Sequence, residues 1–312
     1  MASSSAYKNL NSRMQNGKVI LIDGGIGTEL ELRGVPMDSD AWCGVAAHKH
    51  LDILEQIHCD YIQAGAEIIT ANTYASSGLM LENSGFSKHV QEININAIAV
   101  AKKARKRMNK EGSAAIAGSL SHMVPILKGK DKVNPAMVPN SERITEALHE
   151  QTSIFVAESC DLILLEMMYS PERMEIALEA ATQSKLPVWA GLSARRSENN
   201  KLVSYDETIE IELARLVESC AKYDVDAIGI MHTQAHLIDD CIKIIKGEWG
   251  GLIYCYPDSG YFQMPNWQFK NIITPEELEG FALKWAKSGA TAIGGCCGLS
   301  PQHISALRGL KK

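Results

Sequence analysis

Residues 291–298 read Thr-Ala-Ile-Gly-Gly-Cys-Cys-Gly, a short apolar run that ends in two glycines and two adjacent cysteines. Seven further apolar runs precede it, and each is followed by a longer segment that can form a helix. The eight runs cover residues 18–23, 67–73, 114–119, 162–166, 187–192, 226–232, 251–256 and 291–296. Because their apolar character is continuous, we interpret them as parallel strands that are buried on both faces.

Eight strands that alternate with helices predict a (β/α)8 TIM barrel, for which about 250 residues are typical. A doubly wound open sheet is the alternative, but the count of eight and the absence of a second composition zone favour the barrel. The segments 51–64, 90–108 and 141–159 have helical spacing. We therefore assign residues 18–312 to a single barrel domain and residues 1–17 to a polar N-terminal extension.

The composition excludes several classes of function. The 312-residue chain is 46% hydrophobic and carries a formal net charge of −6, so without a basic stripe it is not expected to bind nucleic acid. No window approaches about 18 consecutive apolar residues, so no membrane span is expected. The N-terminus lacks the apolar core of a signal peptide. Eight cysteines in an unexported chain predict a cytoplasmic location, with free thiols or metal ligands rather than disulfides.

The carboxyl ends of barrel strands converge on one mouth, where barrel enzymes place their active sites. In this chain the ends supply carboxylates, hydroxyls, one histidine and two cysteines, but no lysine for Schiff-base chemistry. The strand-end residues are Asp23 with Gly24-Gly25, Asn72-Thr73, Ser119, Glu166, Ser193, His232, Tyr256 and Cys296-Cys297. The long segments 121–140 and 257–273 follow strands three and seven, so we expect them to flank the same mouth.

Three of these side chains make a candidate zinc site. His232, Cys296 and Cys297 supply one nitrogen and two sulfur ligands, which zinc binds tetrahedrally with one position left open. An open position suits a substrate sulfur, because zinc keeps a bound thiol deprotonated near neutral pH. His236 is a second ligand candidate, although the segment that contains it is expected to begin a helix.

Each of these residues also has an ordinary structural interpretation. A buried cysteine often behaves as a small hydrophobe, and a single histidine is often structural. Gly24 and Gly25 can simply make a turn, and Asp23 and Glu166 can cap or form ion pairs. Under the functional interpretation, Asp23 and Glu166 are candidate catalytic carboxylates that hold a substrate ammonium group.

Five segments in order along the chain resemble the zinc-dependent homocysteine S-methyltransferase family. They are Asp23-Gly24-Gly25 with residues 27–34, residues 64–74, Gly118-Ser119-Leu120-Ser121, Tyr256-Pro257-Asp258-Ser259-Gly260, and residues 294–298 with Pro301 and His303. The resemblance runs from about residue 18 to residue 310. It implies a barrel whose mouth holds zinc through three cysteines, with the homocysteine thiol as fourth ligand. A methyl group moves from a donor to that thiolate and gives methionine.

The resemblance also implies roles for particular residues. Cys296 and Cys297 match two zinc ligands. The positions that border or bind the amino acid are Asp23, Gly24, Thr73 and Glu166. We add Ser119 and Tyr256, which end strands three and seven, to this candidate substrate-binding set. The short chain resembles the branch that uses S-methylmethionine or S-adenosylmethionine, without the C-terminal extension of betaine-dependent relatives or the cobalamin modules of large methionine synthases.

Several positions depart from the family pattern. The third zinc-ligand cysteine is replaced by His232, and the threonine after Glu166 is replaced by Met167. A neutral histidine removes one negative charge, so a bound thiolate should form more easily but be a poorer nucleophile. Arg195-Arg196, after strand five, either hold an anionic group or are solvated.

The leading prediction is a zinc-dependent enzyme that transfers a methyl group from a sulfonium donor to homocysteine. One alternative keeps the fold but changes the thiol acceptor or the donor, because of His232. A second is a non-catalytic relative that binds zinc or an amino acid, and a third is a metal-free barrel that binds phosphate at the Gly294-Gly295 turn. The sequence assigns no oligomeric state.

Overall fold

The eight-stranded sheet of the protein closes into a barrel. A computed structural model describes residues 4–130, 132–206, 208 and 210–311. The eight strands are all parallel. Their order around the barrel is Ile20–Leu21, Ala290–Ile293, Leu252–Asp258, Ala227–Gln234, Val188–Leu192, Leu162–Met168, Ala115–Ser121 and Ile68–Thr70. Ile22 forms a parallel bridge with Ile68, which joins the first barrel strand to the second. This arrangement confirms the single-domain (β/α)8 barrel and excludes the open sheet.

Two short hairpins supplement the barrel strands. The strands among the described residues are β1 (Ile20–Leu21), β2 (Ile68–Thr70), β3 (Ala115–Ser121), β4 (Leu162–Met168), β5 (Val188–Leu192), β6 (Ala194–Arg196), β7 (Leu202–Ser204), β8 (Ala227–Gln234), β9 (Leu252–Asp258), β10 (Tyr261–Gln263), β11 (Asn266–Gln268) and β12 (Ala290–Ile293). Strands β6 and β7 form one antiparallel hairpin, and β10 and β11 form the other. Both hairpins follow barrel strands at the carboxyl end, so they build walls around the mouth.

Helices cover the outside of the barrel. They are α1 (Ser5–Gln15), α2 (Ile26–Leu32), α3 (Ala46–Lys49), α4 (Leu51–Ala64), α5 (Gly78–Leu81), α6 (Val90–Arg107), α7 (Ser141–Ala157), α8 (Pro171–Gln183), α9 (Leu213–Cys220), α10 (Ile238–Glu248), α11 (Pro275–Ser288) and α12 (Pro301–Ala306). Short 3-10 turns cover Cys43–Val45, Ser87–His89, Pro135–Met137, Ala235–Leu237 and Leu307–Leu310. The predicted helices 51–64, 90–108 and 141–159 correspond to α4, α6 and α7.

Large aromatic side chains fill the barrel interior. Trp189 and Tyr254 are fully buried, and their ring centroids lie 5.2 Å apart. Gly191 and Gly229 make room for them, because a Cβ at either glycine would lie within 2.6 Å of the Tyr254 side chain. The interior is therefore a packed core, and an open space for a ligand is left at the mouth.

The N-terminal segment is part of this core rather than a polar extension. Residues 5–15 form α1, whose side chains Tyr7, Leu10 and Met14 are buried. The Trp189 indole donates a hydrogen bond to the Tyr7 hydroxyl at 3.0 Å. Because Trp189 stands near the amino end of β5, α1 covers the end of the barrel that lies opposite the mouth.

All eight cysteines lie among the described residues and are free thiols, as predicted. Within the described part of the chain, no helix combines the length and the apolar character that crossing a membrane requires.

Candidate functional site

A tight turn after β12 carries the two adjacent cysteines. The Gly295 N–H donates to the Asp23 carbonyl at 3.0 Å, and the Cys296 N–H donates to the Pro257 carbonyl at 2.6 Å. The turn also packs closely on Gly24, where a Cβ would lie 2.3 Å from the Leu299 carbonyl oxygen. The absence of a side chain at Gly24 therefore allows the two backbone segments to approach closely, and this approach fixes the cysteines at the mouth.

The predicted metal ligands come together. Cys296 Sγ lies 3.8 Å from Cys297 Sγ and 3.8 Å from His232 Nδ1. All the donor atoms of the three residues lie within 4.8 Å of one another. Tetrahedral zinc, with bonds of about 2.3 Å to sulfur and about 2.0 Å to nitrogen, separates its ligand atoms by about 3.5–3.8 Å. This donor set therefore fits zinc.

The surroundings of both thiols favour their protonated form, because the pKa values of Cys296 and Cys297 are raised. The hydrogen bond with Cys297 and burial raise the pKa of the Cys296 thiol well above its ordinary value, although His232 acts against this shift. A bound metal ion reverses this preference, because a coordinating thiol is deprotonated. The buried cysteine pair is thus a site whose ionisation depends on a cation.

His232 is held in an unusual backbone conformation. The β8–β9 pairing is irregular between residues 231 and 234, and His232 has φ 42°. Its ring lies edge-on to two aromatic rings, with centroids 5.1 Å from Tyr205 and 5.8 Å from Trp267. Strain of this kind collects at functional sites. His236 lies in the following 3-10 turn and is not part of the ligand cluster.

A cavity opens above the metal ligands. Gly24, Glu166 and Tyr256 line it together with His232 and the cysteine pair. Apolar and aromatic side chains form the rest of the wall, including those of Trp42, Met167, Phe262 and Trp267. The cavity therefore combines a sulfur- and nitrogen-rich end with a carboxylate and an apolar wall, as a small amino acid with a sulfur atom requires.

Three predicted site residues lie behind this wall rather than in it. Asp23 is fully buried, and its carboxylate accepts hydrogen bonds from the Thr70 N–H at 2.6 Å and the Tyr256 hydroxyl at 2.8 Å. Thr73 and Ser119 are also fully buried, and the Thr73 hydroxyl donates to the Ser119 carbonyl at 2.8 Å. These residues position their neighbours, whereas Glu166 is the carboxylate that faces the cavity.

Both carboxyl groups have raised pKa values. Burial raises the pKa of Glu166 to about 7, although the Ser119 hydroxyl and His232 act in the opposite direction. Burial likewise raises the pKa of Asp23 to about 7, against the hydrogen bonds from Thr70 and Tyr256. A cationic group in the cavity would favour the ionised form of Glu166, so this carboxyl group suits a substrate ammonium.

Sequence reasoning missed part of the wall. Trp42 and Cys43 belong to the connection after α2 and line the cavity, and Cys43 Sγ lies 3.4 Å from Asn72 Oδ1. Trp42 has φ 48° and Met167 has φ 56°, so two more lining residues have positive φ. The available signal in the sequence was the pair Trp42-Cys43, because tryptophan and cysteine are usually buried even when they lie in a connection.

A second, outer cavity adjoins the first. Met167, His232, Phe262 and Trp267 line both, and Tyr169, Tyr205 and Arg195 are among the residues that line only the outer one. Arg195 forms an ion pair with Glu210, and Arg196 forms one with Asp240 at 2.9 Å. Because both arginines are paired within the protein, the interpretation that they hold an anionic group of a ligand loses support.

The fold and the site define a barrel enzyme with a candidate metal centre at its mouth. The family model for homocysteine S-methyltransferase matches residues 20–310, so the chain belongs to that family, and it is a methyltransferase. It is 27% identical to selenocysteine methyltransferase from Astragalus bisulcatus, over 96% of this chain and 93% of that protein. It is also 27% identical to betaine–homocysteine S-methyltransferase 1 from Danio rerio, over 98% of this chain and 76% of that protein.

The barrel fold of this chain is similar to that of a protein with a known crystal structure. The metallated form of the homocysteine methyltransferase MmuM from Escherichia coli superposes with a TM-score of 0.75, covering 96% of this chain and 99% of that one. The two sequences are 20% identical. This similarity supports the barrel architecture independently of the sequence family.

Proposed function

We propose that this enzyme transfers a methyl group from a sulfonium donor to the thiolate of homocysteine and forms methionine, with zinc held by His232, Cys296 and Cys297. The observation that carries the proposal is the 3.8 Å spacing of these donor atoms at the end of a cavity that also contains Glu166. Zinc bound there would supply one function, which is to keep the substrate thiol deprotonated.

The residues of the chain orient the acceptor. Glu166 binds the substrate ammonium, and Tyr256, whose hydroxyl donates to Asp23, forms the adjacent wall. The thiolate sulfur forms a bond to the methyl carbon while the carbon–sulfur bond of the sulfonium breaks. The electron pair of that bond stays with the departing sulfur, so a neutral thioether leaves. No general base is needed once the thiol is ionised.

The outer cavity suits a cationic donor. The aromatic rings of Tyr169, Tyr205, Phe262 and Trp267 line it, and aromatic faces attract cations. The shared residues Met167 and His232 lie between it and the inner cavity. We therefore assign the acceptor to the inner cavity and a sulfonium such as S-methylmethionine or S-adenosylmethionine to the outer one.

A second candidate function is the same transfer to a different acceptor. The observation that favours it is His232, which makes the ligand set less negative than the three cysteines that the family resemblance implies. A thiolate bound to a less negative centre is a poorer nucleophile, so an acceptor that is intrinsically more nucleophilic would compensate. The selenol of selenocysteine, named in one relative of this chain, is an acceptor of that kind.

Metal analysis and product analysis test both candidates. We expect one zinc per chain after reconstitution, and methionine from homocysteine with a sulfonium donor but not with betaine. The variant Cys297→Ser should lose zinc and activity, whereas Cys59→Ser, a buried cysteine on α4, should keep both. Absence of zinc from the wild type would contradict the proposal. Methylation of selenocysteine but not of homocysteine would favour the second candidate.

A further inference from the structure

A carboxylate stands beside the histidine of the candidate zinc site. Asp258 ends β9, and its Oδ2 lies 3.6 Å from His232 Nδ1. The side chains of His232 and Asp258 are only 6% and 11% exposed. Strand pairing sets this contact, because Asp258 lies opposite Gln234 just after the irregular part of β8. The pair is therefore built into the barrel and is not a surface encounter.

Asp258 lies next to the ligand set without belonging to it. The three-residue group whose donor atoms lie within 4.8 Å of one another comprises His232, Cys296 and Cys297. The Oδ2 of Asp258 nevertheless lies 3.6 Å from the same His232 nitrogen that faces Cys296 Sγ at 3.8 Å.

The net charge of the ligand set changes when a histidine replaces a cysteine, and a carboxylate beside the histidine can offset that change. Three thiolates and Zn²⁺ have a net charge of −1, whereas two thiolates, a neutral histidine and Zn²⁺ have a net charge of zero. An ionised Asp258 beside His232 returns the sum to −1. His232 Nδ1 faces both Cys296 Sγ and Asp258 Oδ2, so a cation held at this nitrogen has the carboxylate close by.

We propose that Asp258 acts on the metal centre from beside His232 and supplies the negative charge that a third cysteine would otherwise provide. The inference rests on the proposed zinc site, and it concerns the affinity and electronic environment of the metal rather than the transfer step. Partners adjacent to ligating histidines typically change metal affinity by about 10- to 100-fold when they are removed.

The first test measures metal affinity. Asp258→Asn keeps the shape of the side chain and removes its charge, and we expect zinc affinity, measured by competition with a chelator, to fall by about 10- to 100-fold. The absorption bands of the cobalt-substituted protein should shift in the same variant. Asp258→Glu should retain most of the affinity. The matched control Asp240→Asn removes a carboxylate paired with Arg196 on the protein surface and should change neither quantity.

The second test asks whether Asp258 compensates for His232. In a His232→Cys background a third thiolate supplies the charge, so Asp258→Asn should then change zinc affinity by less than about twofold, since the two residues are coupled. An equal loss in both backgrounds, or a loss in neither, would overturn this inference while the proposed function stands. Failure of the wild type to take up zinc or cobalt would overturn both.

Discussion

Glu166 is the residue that most directly distinguishes an amino-acid site from a simple metal site. Its carboxyl group lines the cavity, and burial raises its pKa to about 7. We expect Glu166→Gln to lower kcat/KM for homocysteine on the order of 10- to 100-fold, because it removes a charge-assisted hydrogen bond to the ammonium. Steady-state kinetics at saturating donor measures this effect.

The matched control for Glu166 is an exposed glutamate on the next helix. Glu175→Gln on α8 should leave kcat/KM unchanged, and neither variant should change the zinc content. A Glu166→Gln enzyme with wild-type kcat/KM for homocysteine would remove this residue from the acceptor site.

The buried carboxyl group of Asp23 makes the free energy of unfolding depend on pH. Burial raises its pKa to about 7, above the value of about 3.9 of an unfolded chain. Folding therefore favours the protonated carboxyl, and its contribution to the free energy of unfolding is full below about pH 4 and lost as pH rises through about 7. Denaturant unfolding of metal-free protein should show wild type losing stability relative to Asp23→Asn between pH 5 and pH 8. A pH-independent difference between the two proteins would contradict this.

Most of the candidate site could be predicted from the residues at the carboxyl ends of the strands. His232, Cys296 and Glu166 come from three distant strands, and the parallel barrel brings their carboxyl ends to one mouth. Because that convergence is a property of the fold, the strand count sufficed to predict that His232 and the cysteines meet. The thiol and imidazole at 3.8 Å confirm that they do.

Irregular elements could not be predicted in the same way. The predicted strand seven ended at Tyr256, but β9 continues to Asp258, so the carboxylate beside His232 was assigned to a loop. Trp42 reaches the cavity from a connection whose path depends on tertiary packing and a positive φ. The placement of Thr73 behind the wall depends on a hydrogen bond to the Ser119 carbonyl, which no periodicity indicates.

Helix α11 begins with a capping box that is expected to stabilise it. The Thr274 hydroxyl accepts from the Glu277 N–H at 3.2 Å, and the Glu277 carboxylate accepts from the Thr274 N–H at 2.7 Å. We expect Thr274→Ala to cost about 1 kcal/mol and lower the Tm by a few degrees. Ser170→Ala is the matched control, because Ser170 begins α8 without a side-chain cap hydrogen bond. Equal losses in the two variants would show that the capping box does not contribute.

The candidate site and the helix that closes the barrel lie at opposite ends of the barrel axis. The mouth contains three residues with positive φ, two buried carboxyl groups and the cysteine pair, all of which cost stability in the absence of ligands. At the opposite end, α1 closes the barrel with apolar side chains and the hydrogen bond from Trp189 to Tyr7. We infer that this closed end offsets the cost of the mouth, so α1 belongs to the folding unit of the barrel.

That division predicts different responses at the two ends. Tyr7→Ala removes a fully packed ring, so we expect a loss of about 3–5 kcal/mol and a Tm lower by about 10 °C, with unchanged zinc affinity in the folded protein. Lys8→Ala, on the exposed side of the same helix, should leave the Tm within about one degree of wild type. Thermal unfolding and chelator competition on the same samples measure both quantities. A Tyr7→Ala protein with wild-type Tm would show that α1 packs without stabilising the barrel. Weakened zinc binding by that variant at an unchanged Tm would show that the two ends of the barrel are coupled.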